Sequence, residues 1–128
     1  MATTSCRETL EKHSFLSQNI HSFEVPGSLE IPLFALKAIQ TQKYAAIIGF
    51  GWVVDGGIYR HEFVANTILR GIMDVQLKTG IPVFSCILTP HSFSEQQEHI
   101  QFFKNHLILK GQEAAKSCLA FLESLKKL

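Results

Sequence analysis

The sequence lacks the features that mark several large classes of protein. It has no basic excess, because 12 lysines and arginines are balanced by 11 acidic residues, and the formal net charge is +1. Nucleic-acid backbones are bound largely through such an excess, so DNA or RNA binding is not expected. The longest apolar stretch, residues 44–54, has 11 residues, whereas a membrane span needs about 20. This stretch is therefore predicted to be a buried strand, and neither a membrane partner nor a secretory signal is expected.

Cysteine pairs and histidine clusters are also absent. The three cysteines, Cys6, Cys86 and Cys118, are widely spaced and include no Cys-x-x-Cys pair. This pattern favours reduced thiols in a cytosolic protein over a disulfide framework. His99 and His106 are seven residues apart and could share a helical face, but no His-x-x-x-His or His-Glu-x-x-His pattern occurs. A zinc site needs about four well-placed ligands, so no metal is expected.

Length and hydrophobicity predict a folded α/β chain. The 128 residues are 46% hydrophobic and 18% charged, which suits a single domain spanning residues 1–128. Helices are predicted at residues 4–15, 29–39, 60–78, 92–105 and 111–127, and strands at residues 21–25, 44–54 and 81–89. Such alternation indicates a short parallel sheet with helices on both faces.

Local signals refine these elements. Thr4 or Ser5 is a candidate cap for the first helix, and Ser28 is a candidate cap for the second, where Pro32 occupies the first turn. Gly80 is expected to end the third helix. The apolar residues expected to face the core are Leu29, Leu33, Leu36 and Ile39 in the second helix and Phe63, Ile68, Ile72, Val75 and Leu77 in the third.

Glycines after the second strand form the sharpest local signal for a ligand. Gly56 and Gly57 follow a buried strand and precede a helix that begins near Arg60 and His61. A glycine turn and a helix N-terminus together favour an anion such as phosphate, although a tight turn with two basic surface residues explains the same pattern. Ligands of parallel sheets bind past the carboxyl ends of the strands. The segments at these ends are residues 25–30, 54–61 and 89–91.

Signals elsewhere are weaker. Ser28 and Glu30 are explained by a helix cap and a first-turn carboxylate, or alternatively by a polyhydroxyl ligand held by both side chains and nearby N–H groups. Gly49 and Gly51 lie inside a strand, form no Walker or dinucleotide motif, and are expected to ease close packing. Lys110 is either solvated or close to an anion.

Several motifs in order resemble one enzyme family. Residues 25–32 read Val-Pro-Gly-Ser-Leu-Glu-Ile-Pro, and residues 53–64 read Val-Val-Asp-Gly-Gly-Ile-Tyr-Arg-His-Glu-Phe-Val. Both segments resemble the 6,7-dimethyl-8-ribityllumazine synthases, the second segment in particular those of the second type. The resemblance extends over about residues 20–120. Further matching segments are residues 75–83, 88–91, 98–99 and 110–115.

The resemblance implies a fold, an activity and an assembly. The family has a flavodoxin-like, three-layer α/β sandwich and forms pentamers, which its second type pairs into decamers. Its members condense 5-amino-6-(D-ribitylamino)uracil with 3,4-dihydroxy-2-butanone 4-phosphate, releasing phosphate and water, at sites between adjacent subunits. No metal or organic cofactor takes part. The implied protein is a cytoplasmic transferase of riboflavin biosynthesis whose partners are two small-molecule substrates and copies of itself.

The resemblance also implies residues for the pyrimidine substrate. Gly27, Ser28 and Glu30 match the segment that holds the ribityl chain and the pyrimidine. Val53 and Val54 match the strand end that lines the pyrimidine.

Other matching residues concern the phosphate and the proton. Gly56, Gly57 and Ile58 match the phosphate loop. Most relatives have a histidine, to which the family's proton transfer is assigned, where this chain has Arg60, and His61 follows one position later. Both residues are therefore candidates for proton transfer.

Three matching positions belong to the neighbouring subunit's share of the site. Ser85 lies on the strand that meets the pyrimidine. His99 falls where many relatives have a phosphate-binding arginine, and Lys110 matches a lysine near the same site.

The start of the chain departs from the family pattern. Relatives begin with a central strand followed by a loop whose aromatic residue, a tryptophan in the second type, stacks on the pyrimidine. This sequence begins inside the expected first helix, and Trp52 belongs to a different strand. The interpretations are a truncated sequence, or a shortened, non-catalytic relative that keeps assembly and ligand binding. A phosphate-binding α/β module unrelated to the family is a third.

Overall fold

The computed structural model describes residues 1–13, 17–53, 61–88 and 97–128. The chain divides into a helical unit (Met1–Phe23 and Ser92–Leu128) and a sheet unit (Glu24–His91). The elements are the helices α1 (Ala2–Lys12), α2 (Ile31–Gln40), α3 (His61–Thr79) and α4 (Gln97–Lys126), the strands β1 (Ile47–Trp52) and β2 (Val83–Leu88), and the 3-10 helices Ser17–Asn19 and Ser28–Glu30.

A parallel pair of strands forms the centre of the sheet unit. β1 pairs with β2 in a register that runs from Ile47↔Val83 to Trp52↔Leu88. The Val53 N–H donates to the Leu88 carbonyl at 2.8 Å and extends the ladder by one residue. The continuous apolar runs predicted two buried parallel strands. Both strands are parallel as predicted, with shorter bounds, but β1 is half-buried along its length and exposed at Trp52, and in β2 only Val83 and Cys86 are buried.

Helices α2 and α3 pack against each other and against this sheet. α2 contacts β1, and α3 contacts β2. The α/β class and the short parallel sheet with packed helices, predicted from the alternation of elements, are confirmed. The buried core consists of Ile31, Ala35, Ile39, Val53, Ile68, Ile72, Val75 and Val83.

The buried face of α2 differs from the predicted one. Ile39 is buried as expected, but Leu29 and Leu33 are 57% and 60% exposed. Ile31 and Ala35 complete the buried stripe instead. The reason is the 3-10 helix Ser28–Glu30, after which the α-helix starts at position 31 and presents residues at i, i+4 and i+8 to the sheet.

The buried face of α3 is narrower than predicted. Ile68, Ile72 and Val75 are 1%, 3% and 8% exposed, which confirms their core positions. Phe63 and Leu77 are 60% and 78% exposed, so their predicted core positions are wrong. Phe63 lies five residues before Ile68, and Leu77 lies two residues after Val75. At 100° per residue, each separation turns the side chain well away from the buried stripe.

Helix ends in the sheet unit agree only in part with the sequence signals. Gly80 ends α3 as predicted, with φ +75° and an N–H that donates to Gln76 at 2.8 Å. Pro32 lies in the first turn of α2, as expected. Ser28 is not the cap of α2, because the intervening 3-10 turn makes Glu30 the N-cap residue.

The predicted strand at residues 21–25 is absent. These residues have no regular secondary structure, and among the described ranges the only sheet is the β1–β2 pair. An extended segment needs a neighbouring strand to satisfy its backbone groups. The apolar alternation alone therefore did not make a strand here.

In the helical unit, α1 packs closely against α4. Thr4 and Ser5 lie inside α1, and Met1 is its N-cap, so the predicted caps are wrong. Ser5 is buried instead, and its Oγ lies 3.1 Å from the Ala2 carbonyl and 2.8 Å from the Ile108 carbonyl of α4. This hydroxyl links the two helices.

Helix α4 is continuous for 30 residues, whereas the sequence predicted two helices broken before residue 111. Gly111 is the cause of the error, since a glycine usually weakens a helix by about 1 kcal/mol. Here a Cβ at Gly111 would meet the Ala2 carbonyl oxygen and the Ser5 hydroxyl. The glycine therefore serves the close approach of α1 rather than a break.

Candidate functional site

The 3-10 helix Ser28–Glu30 lies against the carboxyl-terminal half of β1. A Cβ placed on Gly51 would lie 2.6 Å from Ser28 Oγ and 3.1 Å from Ser28 Cβ, so the serine side chain rests on the bare backbone of β1. Gly49 faces the same side, where a Cβ would lie 2.9 Å from Ile31 Cγ2. The expectation that both glycines ease close packing is confirmed. Ser28 thus lies near the strand end where ligands of parallel sheets bind.

The Glu30 carboxylate lies over the same turn. The Glu30 N–H donates to the Gly27 carbonyl at 3.2 Å, which closes the turn. Glu30 Oε2 lies 3.1 Å from the point where a Gly27 Cβ would be. Glu30 is also the N-cap residue of α2, where the helix dipole favours a negative charge.

The polar groups of this turn are available to a ligand. Among the residues that the structure describes, neither the Ser28 hydroxyl nor the Glu30 carboxylate has a hydrogen-bond or ion-pair partner. A hydroxyl both donates and accepts, and a carboxylate accepts at two oxygens. Together with the Gly27 backbone they form a short row of groups suited to a chain of hydroxyls. This is the polyhydroxyl alternative of the sequence analysis.

Two more predicted residues lie on a strand of the sheet unit or directly after one. Val53 follows β1 directly, and its side chain is buried in the core at 5% exposure. Ser85 pairs with Gly49 across the ladder. Its side chain is exposed, so its hydroxyl is open to a ligand.

Of the predicted phosphate site, the structure describes only the helix that follows the glycine loop. α3 begins at His61, which agrees with the expected helix directly after the glycine loop. The loop itself lies outside the described residues, together with residues 89–91. The predicted site residues in that loop are Val54, Gly56, Gly57, Ile58 and Arg60.

His99 and Lys110 lie on α4 in the helical unit. The Lys110 Nζ lies 3.2 Å from Glu113 Oε2, and both side chains are partly exposed. A surface pair of this kind contributes little to stability, so it leaves the lysine able to exchange partners. Positions 99 and 110 are three helical turns apart and share one face of α4.

No metal centre or membrane span is found in the part of the chain that the structure describes. Within the four described ranges, no group of three or more His, Cys, Asp or Glu side chains could hold a metal ion. None of the described helices combines the length and the apolar character needed to cross a membrane.

Comparison with known proteins decides the family. The family model for 6,7-dimethyl-8-ribityllumazine synthase matches residues 1–126. The chain belongs to this lumazine synthase family. Membership confirms the resemblance and the flavodoxin-like fold class, and it overturns the interpretation as an unrelated phosphate-binding module.

Individual family members are similar over most of the chain. The 6,7-dimethyl-8-ribityllumazine synthase 2 of Bradyrhizobium diazoefficiens is 52% identical over 110 residues, which cover 86% of this chain and 67% of the relative. The 6,7-dimethyl-8-ribityllumazine synthase of Rhodococcus erythropolis is 54% identical over 106 residues, or 83% and 68%. The synthase 2 of Pseudomonas syringae pv. tomato is 48% identical over 119 residues, or 93% and 70%.

Gly51 of β1 lies against this turn, and the sequence analysis did not assign it to the site. Its spacing indicated close packing but not the partner, because the contact with Ser28 joins positions 23 residues apart in the chain. Glycine inside a strand marks a place where another group approaches the backbone closely. That rule was the only signal in the sequence that could have singled it out.

Proposed function

We propose that this chain is a lumazine synthase of riboflavin biosynthesis. It condenses 5-amino-6-(D-ribitylamino)uracil with 3,4-dihydroxy-2-butanone 4-phosphate to give 6,7-dimethyl-8-ribityllumazine, phosphate and water, and it is therefore a transferase. The observation that carries the proposal is the family match across residues 1–126. The three relatives compared above are all named as 6,7-dimethyl-8-ribityllumazine synthases.

The turn around Ser28 supports the ribityl part of this proposal. A ribityl chain presents a row of hydroxyls, and the turn presents a hydroxyl, a carboxylate and a glycine backbone without described side-chain partners. In the proposed complex Glu30 accepts hydrogen bonds from ribityl hydroxyls, and Ser28 donates to or accepts from the next one. Val53, which directly follows β1, and Val54 are the proposed residues that line the pyrimidine.

The chemistry depends mainly on holding two substrates together. The amine of the pyrimidine attacks the ketone and forms an imine with loss of one water, phosphate is then eliminated, and the ring closes with loss of a second water. Binding both reactants in one site converts a bimolecular step into an effectively unimolecular one. Arg60 and His61 are the proposed groups for proton transfer. Gly56, Gly57 and Ile58 are the proposed backbone donors for the phosphate, at the N-terminus of α3.

The proposal includes an assembly. A pentamer, or a dimer of pentamers, lets a neighbouring subunit contribute Ser85, His99 and Lys110 to each site. A cytoplasmic location, predicted from the cysteine pattern, belongs to the same proposal.

The decisive experiment is lumazine formation by the purified chain. Both substrates are supplied, and the product is followed by its absorbance and fluorescence. Glu30→Gln keeps the shape of the side chain but removes its charge, so we expect the KM for the ribitylamino-uracil to rise at least about tenfold, the loss of a charged hydrogen bond. Glu123→Gln is the matched control, because Glu123 forms an exposed ion pair with Lys126 in α4.

Two outcomes would contradict the proposal. A folded, oligomeric wild-type chain that forms no lumazine would establish the non-catalytic relative instead. An active chain in which Glu30→Gln behaves like Glu123→Gln would remove Glu30 from the site while leaving the activity in place.

A further inference from the structure

Gly51 has no conformational reason to be a glycine. Gly80 is the one glycine with positive φ among the described residues, so Gly51 has a strand backbone that any residue adopts. A glycine inside a strand is destabilising relative to a residue with a side chain, because glycine loses more conformational freedom on folding. What distinguishes position 51 is space, because a Cβ there would lie 2.6 Å from Ser28 Oγ and 3.0 Å from Ile87 Cδ1.

We propose that Gly51 is a positioning residue for substrate, because its missing side chain lets Ser28 pack onto the β1 backbone and thereby sets where the Ser28 hydroxyl stands. The inference rests on the proposed function, in which Ser28 binds the ribityl chain, and it extends that function to a residue that touches no substrate itself.

The geometry gives the size of the effect. Ordinary van der Waals contact of a Cβ begins at 3.4 Å, so Ser28 Oγ must move by about 0.8 Å to make room for a methyl group on Gly51. A misplacement of about 1 Å in a binding group can reduce a rate by about a hundredfold. Ser28 lies in a three-residue 3-10 turn, so its displacement also carries the neighbouring Glu30.

The neighbouring glycine provides a matched control. Gly49 is on the same strand and the same face, but a Cβ there would meet Ile31 Cγ2 at 2.9 Å and would not touch Ser28. Gly49→Ala therefore adds the same methyl group beneath the same segment without reaching the proposed site residue.

The test is a comparison of KM values for the two substrates. In Gly51→Ala we expect the KM for the ribitylamino-uracil to rise about tenfold or more, and the KM for the butanone phosphate to change less than about twofold. A merely structural role would change both constants, or kcat alone, together with stability. Gly49→Ala is expected to leave the ratio of the two KM values unchanged. If Gly51→Ala and Gly49→Ala had the same ratio of the KM for the ribitylamino-uracil to the KM for the butanone phosphate, the proposal would be overturned.

A double-mutant cycle identifies the clash. Ser28→Gly by itself raises the KM for the ribitylamino-uracil, and adding Gly51→Ala should raise it no further, because the displaced atoms are gone. If the rise in KM of the double variant equalled the product of the rises in the two single variants, the proposal would be overturned. If Gly51→Ala alone fails to fold, the double variant must recover the wild-type circular dichroism and elution volume. A double variant that also stays unfolded would assign the clash to Ile87 and overturn the proposal as well.

Failure of the proposed function gives a different result. A wild-type chain without turnover that still binds the ribitylamino-uracil is tested by the same variants, with the calorimetric Kd in place of KM. A wild-type chain with neither turnover nor binding removes the proposed function, and with it the role of Gly51.

Discussion

Replacing Gly111 with alanine tests whether this glycine allows the close packing of α1 on α4. In an ordinary exposed helix this change stabilises by about 1 kcal/mol, because glycine is the weaker helix former. We predict the opposite sign here. The new methyl group would meet the Ala2 carbonyl and the Ser5 hydroxyl, and a backbone oxygen cannot swing aside as a long side chain can.

The magnitude follows from three opposing effects. Overpacking costs about 1–3 kcal/mol, and separation of the helices lengthens the 2.8 Å contact between Ser5 Oγ and the Ile108 carbonyl, which is a loss of about 1 kcal/mol. The gain in helix propensity offsets about 1 kcal/mol. The net expectation is a loss of about 1–3 kcal/mol in the free energy of unfolding.

Urea denaturation followed by circular dichroism measures this difference, at one fixed protein concentration because assembly shifts apparent stability. Ser117→Ala is the control, since Ser117 is exposed on the same helix and gains propensity without a new contact. An increase in stability for Gly111→Ala comparable with that of the control would refute the close packing of α1 on α4.

Two further predictions concern the core and a buried thiol. Ile68→Ala removes a side chain that is 1% exposed and should lower the free energy of unfolding by about 2–5 kcal/mol. Leu77→Ala removes a side chain that is 78% exposed and should change this free energy by less than about 0.5 kcal/mol. Equal midpoints of urea denaturation for the two variants would contradict the described buried face of α3. Burial raises the pKa of the Cys118 thiol, and because the thiolate is the reacting form, modification of Cys118 by a thiol reagent should need a higher pH in the folded chain than in urea. Peptide mapping by mass spectrometry after modification at pH 8 locates the site, and equal rates in both states would exclude the burial.

The comparison of sequence with structure separates local from non-local information. The strands β1 and β2 and the stop at Gly80 were predicted correctly, because continuous apolar runs and a left-handed glycine are local signals. The buried face of α2 was predicted only in part: Ile39 is buried and Leu36 packs against the core, but Leu29 and Leu33 are exposed. The reason is the 3-10 turn that shifted the start of the helix, and such a shift has no signature in the spacing of leucines.

The site shows the same division. The turn at Ser28 and Glu30 was identified from a short motif, and so was the helix that begins at His61. The contact between Ser28 and Gly51 could not be predicted, because it joins two segments that meet only after folding. Gly111 was misread for the same reason, since the segment that packs on it begins at Ala2, 109 residues earlier.

The position of Trp52 has a spectroscopic consequence. It is the only tryptophan in the sequence, it is the last residue of β1, and its side chain is 42% exposed. Fluorescence excited selectively in tryptophan therefore comes from one side chain, whose neighbours in the sequence are Gly51 and Val53. A ligand bound at this strand end would change the polarity around the partly exposed indole, and with it the tryptophan emission. The chain thus contains its own optical probe of the strand end at which the ligand is proposed to bind.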